Sequence, residues 1–271
     1  STLFPYTTLF RSDSVCTDYT SDVSDISVGS VGSPQGYSTV IVRSKKGRQI
    51  IEDCIEKGYI TVEEMSDKGL SLLERIANQK ITRNTKRYKK REAVARPVLS
   101  KRAVTEEEFI SECSLCQFEN LQNDVISVGS CVLCGACEYV CPKDIIHINH
   151  RKPVVKGECD EDCHACYFAC PRTFVSEEIY ESGIDEKPLG NYLDIYSVKA
   201  DSIIGQDGGV VSAILVYLLE NNVVDEVSVV GEDKDAPWRP QSKLTSSVQD
   251  VITAAGTKYS TTPIGFKALD K

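Results

Sequence analysis

Eight of the chain's twelve cysteines fall between positions 131 and 170. They form two runs: Cys131-Val-Leu-Cys134-Gly-Ala-Cys137-Glu-Tyr-Val-Cys141-Pro142 and Cys159-Asp-Glu-Asp-Cys163-His-Ala-Cys166-Tyr-Phe-Ala-Cys170-Pro171. Three cysteines spaced two residues apart must wrap tightly around one corner of a cube, and iron–sulfur clusters take thiolate far more readily than carboxylate. Gly135 and Ala136 are small, so the backbone can approach and offer N–H groups to sulfur. Paired zinc sites are the alternative. Zinc favours two CxxC pairs on separate knuckles and calls for neither a third close cysteine nor the following proline.

The runs repeat. A shift of 29 residues carries Cys134 to Cys163, Cys137 to Cys166, Cys141 to Cys170 and Pro142 to Pro171. The same shift carries Cys131 to Asp160, which leaves Cys159 one residue out of register. Either the loop bulges to bring Cys159 in, or Asp160 substitutes as an oxygen ligand; the preference for thiolate favours Cys159. The first run resembles the C-x₂-C-x₂-C-x₃-C-P motif of bacterial ferredoxins. That resemblance implies a crossover: Cys131, Cys134, Cys137 and Cys170 on cluster one; Cys141, Cys159, Cys163 and Cys166 on cluster two. Ile145, Ile146, Ile148, Val154 and Val155 lie between the runs and are expected to supply a dry shell. Cys113 and Cys116 form a lone CxxC that reads as a further metal ligand pair or a reduced loop. Cys54 reads as packing, His147 and His150 as structural, and His164 as a tuner inside the second wrap.

The flanking segments must position this module. Residues 1–12 are set aside as a sequencing artefact or a disordered leader. Residues 13–77 read as the end of an α/β domain. They contain a turn-rich loop at 27–36, a strand at 38–43, a helix at 47–57 stopped by Gly58, a short strand at 59–62 and a helix around Leu70–Ala77. Residues 78–112 crowd Lys and Arg with little hydrophobic periodicity and read as a basic, solvated linker. Residues 113–175 are the cluster module. Residues 190–271 read as strand (193–200), helix after Gly208–Gly209, strand (227–230) and helix (248–255), an order that predicts a largely parallel sheet that the chain only begins.

Several stretches outside the cysteines resemble the coenzyme F420 hydrogenase/dehydrogenase beta-subunit family. Ile204-Gly-Gln-Asp-Gly-Gly-Val-Val, Val230-Gly, Trp238-Arg-Pro and Ala254-Ala-Gly-Thr-Lys-Tyr-Ser resemble its N-terminal domain. Cys16-Thr-Asp18-Tyr-Thr, Asp25-Ile-Ser-Val-Gly-Ser-Val-Gly and Ser38-Thr-Val-Ile-Val-Arg43 resemble the end of its C-terminal domain. The order is inverted, which implies tandem family units cut across their junction, or an assembly chimera. The resemblance implies FAD beside the 4Fe–4S clusters and hydride exchange with coenzyme F420. Gly205, Gln206, Asp207, Gly208 and Gly209 form a glycine-rich turn at a helix start, suited to a cofactor phosphate. Lys258 and Tyr259 are candidates for phosphate and ring contact. Cys16 resembles the last cysteine of a further cluster set.

The overall expectation is an α+β chain: a ferredoxin-like two-cluster module joined to the start of a truncated α/β flavin-binding domain and preceded by the end of another. Its expected function is an iron–sulfur flavoprotein oxidoreductase acting on coenzyme F420, with a ferredoxin-like carrier subunit lacking its own active site as the alternative. The expected partners are other redox subunits, such as a hydrogenase or formate dehydrogenase. A net charge of −9 argues against nucleic acid. No apolar run approaches the roughly 20 residues that span a bilayer, and clustered cysteines without a secretory signal point to the cytoplasm. No residue reads as a hydride-handling acid or base.

Overall fold

The computed structural model describes residues 17–21, 24–93, 103–104, 107, 111, 117–127, 129, 131–149, 152–160, 162–173, 175–176, 187–203, 205, 207–232 and 240–256. Its elements run β1 (Ile26–Gly29), β2 (Ser38–Val42), α1 (Lys45–Glu56), β3 (Ile60–Glu64), α2 (Asp67–Ala93), β4 (Ala103–Val104), α3 (Phe118–Leu121) and a π-helical turn (Gln122–Ile126). There follow α4 (Ala136–Tyr139), β5 (Ile146–Asn149), β6 (Lys152–Val155), α5 (Ala165–Phe168), β7 (Val175–Ser176), β8 (Asp194–Ala200), α6 (Val210–Glu220), β9 (Val227–Glu232), β10 (Pro240–Thr245) and α7 (Val248–Thr253). The chain divides into two compact units, one within Asp18–Ile81 and Gly183–Ser260, the other centred on Thr82–Ser182.

The first unit joins the two ends of the sequence reading in one sheet of order β1-β2-β8-β3. Every pairing in it is antiparallel, with Ile26 opposite Val42, Val40 opposite Tyr196, and Val62 opposite Val198. The predicted parallel sheet over 190–271 is therefore a misreading. A parallel crossover needs β8 and β9 in the same sheet. Here β8 inserts between β2 and β3, whereas β9 pairs antiparallel with β10 in a separate hairpin. The strand β10, Pro-Gln-Ser-Lys-Leu-Thr, carries little β-branched or aromatic signal, so its composition does not announce a strand.

The strand β2 is buried along its whole length, as a central strand covered on both faces must be. On one face Val40, Val42 and Val198 meet Ile51 and Cys54 of α1 and Val210, Ala213, Ile214 and Tyr217 of α6. On the other, Ile41 meets Leu73 and Ala77 of α2 and Leu189. The far side of α6 packs Val216 against Val227, Val229 and Val251. The expected packing role of Cys54 agrees with its zero exposure, and burial pushes its thiol up to about 12. The helix α1 starts where Ser44 Oγ accepts the Gly47 N–H at 3.0 Å and stops at Gly58, whose φ of +73° only glycine adopts without strain.

The helix α2 runs to Ala93 instead of ending near 77, so the first part of the basic stretch is helix and not linker. Buried Ala77 and Asn84, seven residues apart, share one face of it. Around that narrow face the helix is Lys- and Arg-rich, which suits helix propensity but hides the hydrophobic period.

Candidate iron–sulfur centre and cofactor cavity

The second unit is small and its core is made of cysteines and aliphatic side chains. Cys137, Cys141, Cys166 and Cys170 are buried together with Leu121, Val125, Ile126 and Ile146. The repeat seen in the sequence recurs in the backbone. The helices α4 and α5 are related by the same 29-residue shift, 136 to 165 and 139 to 168. Val140 N–H bonds Ala136 C=O and Ala169 N–H bonds Ala165 C=O, both at 3.0 Å. Each run closes alike, with Asp144 N–H on Cys141 C=O at 3.1 Å and Thr173 N–H on Cys170 C=O at 3.2 Å. The hairpin β5–β6 lies between the runs, with Ile146 opposite Val155 and Ile148 opposite Pro153.

Cys131, Cys134, Cys137 and Cys170 line one cavity, with three cysteines from the first run and one from the second. Its other walls include Leu121, Val125, Ile126, Ile148, Pro153 and Arg172. Of the expected dry shell, Ile148 lines this cavity, and Ile145, Ile146 and Val155 belong to or pack on the core. The wall from α3 and the π-turn was missed by sequence reasoning, although Phe118, Leu121 and Val125 carry an i, i+3, i+7 signal.

Burial, reinforced by the other thiols, pushes Cys137 up to about 12; Cys131, Cys134, Cys170 and Cys166 all contribute. Cys170 rises to about 11 through burial, opposed by the backbone N–H of Arg172. Burial also raises Cys131, against a hydrogen bond from the Leu133 backbone. The remaining four cysteines form a second neighbourhood. Burial and then Cys159 and Cys163 push Cys166 to about 12, and Cys159 is raised by partial burial and then by Cys163 and Cys141.

Residues 159 and 160 have different surroundings. Cys159 is exposed, yet its electrostatic neighbours are Cys163 and Cys141. The Asp160 carboxylate is engaged elsewhere, in an ion pair with Lys143 Nζ at the surface. Asp160 C=O also accepts the Cys163 N–H at 3.0 Å, which forms the local bend. Glu138 Oε1 accepts the Ile148 N–H at 3.2 Å and lies 3.8 Å from His147 Nδ1, so His147 serves a structural contact. His150, Cys16, Cys113 and Cys116 lie outside the described residues.

Among the described residues no group of three or more His, Cys, Asp or Glu converges as a single metal ion requires. A 4Fe–4S cluster places its four thiolates on separate corners of a cube, so it does not need them at one point. The residues present fit such a cluster. Leu133 (φ +59°) and Gly135 (φ +87°) turn the backbone in the left-handed region between the first cysteines. The Arg172 Nε is buried and has no hydrogen-bond partner.

A second cavity, of about 420 Å³, lies in the sheet unit. It is lined by Gly205, Asp207 and Gly209 of the glycine-rich turn, by Val210, Val211 and Ser212 at the start of α6, and by Ser228–Val230 and Ala254–Gly256. The turn is tightly wound. A Cβ on Gly209 (φ +68°) would sit 2.6 Å from Ile203 O, and one on Gly205 2.8 Å from Gly209 Cα. The first bond of α6 runs from Ala213 N–H to Gly209 C=O, which leaves the N–H groups of Val210, Val211 and Ser212 outside the helical ladder. Gln206, Lys258, Tyr259 and Trp238 lie outside the described residues.

Three stretches of the chain match known family models. Residues 196–268 match the family model for the coenzyme F420 hydrogenase/dehydrogenase beta subunit N-terminal domain, and residues 9–68 match the model for its C terminus. Residues 124–147 match the 4Fe–4S binding domain, which covers the first cysteine run. A coenzyme F420-dependent sulfite reductase of Methanocaldococcus jannaschii is 41% identical over 138 residues, 51% of this chain and 21% of that protein. A coenzyme F420 hydrogenase subunit beta of Methanococcus voltae is 39% identical over 90 residues, 32% of each. An F420-dependent formate dehydrogenase subunit beta of Methanocaldococcus jannaschii is 29% identical over 160 residues, 48% of this chain and 42% of that protein. The chain thus spans less than half the length of these curated relatives. It carries segments similar to both domains of the beta-subunit family on either side of a match to the 4Fe–4S binding domain. Strands from both segments share the sheet, since β2 and β3 lie in one and β8 largely in the other.

Proposed function

We propose that the chain is the electron-conducting part of a coenzyme F420-dependent oxidoreductase, holding two 4Fe–4S clusters and part of a flavin site. The observation that carries the reading is the cavity shared by Cys131, Cys134, Cys137 and Cys170, because a fourth thiol arriving from the distant run is the crossover of two-cluster ferredoxins. Cys141, Cys159, Cys163 and Cys166 form the second set. Bound FAD would accept a hydride from reduced coenzyme F420 and release the two electrons singly.

The chain's own residues have definable tasks. The free N–H groups opening α6 suit an anionic cofactor group, and the glycine turn allows that group a close approach. The cavity volume lies within the roughly 300–1,000 Å³ of small-molecule sites. The aliphatic wall from α3 and the π-turn excludes water from cluster one. The reading places the chain in the cytoplasm, where thiols stay reduced, and beside redox subunits such as a hydrogenase or formate dehydrogenase. No helix among the described residues is long and apolar enough to cross a membrane.

The test is anaerobic purification of the full-length gene product, followed by metal and flavin analysis and an assay of reduced coenzyme F420 with a viologen acceptor. Iron, acid-labile sulfide, flavin and turnover are expected. Clusters without flavin or turnover would favour the carrier-subunit reading. Zinc in place of iron would sink both.

A further inference from the structure

The repeat that relates the two cysteine runs also relates two cations. Lys143 follows Cys141-Pro142 as Arg172 follows Cys170-Pro171. Their surroundings differ. Lys143 is exposed, ion-paired with Asp160, and its Nζ reaches Glu158 C=O at 3.4 Å. Arg172 lines the cavity of Cys131, Cys134, Cys137 and Cys170. Its Nε is buried without a hydrogen-bond partner while the residue as a whole is partly buried, and its charge acts on the neighbouring Cys170 thiol. A buried donor left without an acceptor is costly in a finished structure, so a partner is called for. The cavity walls are otherwise aliphatic side chains and thiols, and sulfur is the acceptor that a loaded cluster would bring there.

We infer that Arg172 donates its enclosed Nε–H to a sulfur of cluster one and, as a partly buried cation beside that cluster, raises its reduction potential above that of cluster two. The inference rests on the two-cluster reading. Reduction of a cluster adds one electron and hence one negative charge; no bond breaks and no proton is required. A neighbouring positive charge and an N–H···S bond both stabilise the reduced form, and the effect is large where water is excluded. At cluster two the equivalent cation is screened by solvent and by the Asp160 carboxylate. Electrons arriving at either cluster would therefore settle on cluster one.

The experiment is an EPR-monitored redox titration of the full chain, with the two signals assigned through Cys134→Ser and Cys163→Ser proteins. Arg172→Met removes charge and donor, and Arg172→Lys keeps the charge but loses the Nε–H. In wild type the cluster-one signal is expected to appear at the higher potential. Arg172→Met should shift its midpoint downward and leave cluster two in place, and Arg172→Lys should shift it by less. If Arg172→Met fails to retain cluster one, the Arg172→Lys shift carries the test. Unmoved midpoints, or equal movement of both clusters, would overturn the inference. A wild-type protein with no iron–sulfur signal would instead overturn the two-cluster reading.

Discussion

The two cysteine runs are built on one backbone plan and end in different environments. Both carry a one-turn helix around the third close cysteine, Cys137 in α4 and Cys166 in α5, with matching hydrogen bonds. They differ at the entrance: Gly135 takes φ +87° where its counterpart His164 takes φ −125°. They differ in exposure as well, because the out-of-register Cys159 is exposed and every cluster-one thiol is at least half-buried. And they differ in the cation after the proline, partly buried with its Nε enclosed at 172 and exposed and ion-paired at 143. A repeat can thus preserve the cysteine spacing while substitutions just outside it give the two runs different surroundings, and on the proposed reading those surroundings would separate two chemically identical clusters in potential and accessibility.

The comparison breaks most severely if the crossover is removed. A Cys141→Ser protein should lose cluster two, although position 141 lies in the first run, and Cys170→Ser should lose cluster one. Each should retain about half of the iron, read by metal analysis, with one EPR signal remaining. Loss of the opposite cluster in either protein would mean that each run closes on itself. At the disputed ligand, Cys159→Ser should lose cluster two whereas Asp160→Asn keeps it. A Cys159→Ser protein that kept both clusters would return the role to Asp160.

The ferredoxin-type cysteine pattern was legible because thiol spacing is a local property, and the local elements were legible for the same reason. The helix α1 and its Gly58 stop, the strand β2, and the helix α6 after Gly209 follow from periodicity and capping within a dozen residues. The sheet was not legible. Whether β8 pairs with β9 or inserts between β2 and β3 depends on partners far away in sequence, and Val-rich strands accept either arrangement. Arg172 was equally hidden. Its residue type beside a proline says nothing; its meaning lies in the burial of Nε against the cavity wall.

A smaller effect tests the difference at the entrance. Gly135→Ala forces a Cβ into the left-handed region at the start of α4, which costs about 1–3 kcal/mol. His164→Ala, at a φ any residue adopts, should be near neutral. Thermal unfolding of the iron-loaded proteins should show Gly135→Ala melting lower and releasing cluster one first. Equal melting points for the two variants would mean that the two entrances are conformationally alike.

The smallest expected effect concerns the pair at cluster two. Lys143 lies within electrostatic reach of Cys159, and its ion pair with Asp160 is exposed, with side-chain exposures of 42% and 62%. Asp160→Asn leaves the Lys143 charge uncompensated and should raise the cluster-two midpoint; Lys143→Met leaves the Asp160 charge and should lower it. Both shifts pass through solvent, so they should shrink as ionic strength rises from about 0.01 M to 1 M and the screening length falls from roughly 30 Å to 3 Å. The Arg172→Met shift at cluster one, acting through an enclosed Nε against the cavity wall, should shrink less over the same range. Salt dependence therefore separates a partly buried cation from a surface one without reference to the size of either shift, and similar salt sensitivity in all three variants would place Arg172 in solvent with Lys143.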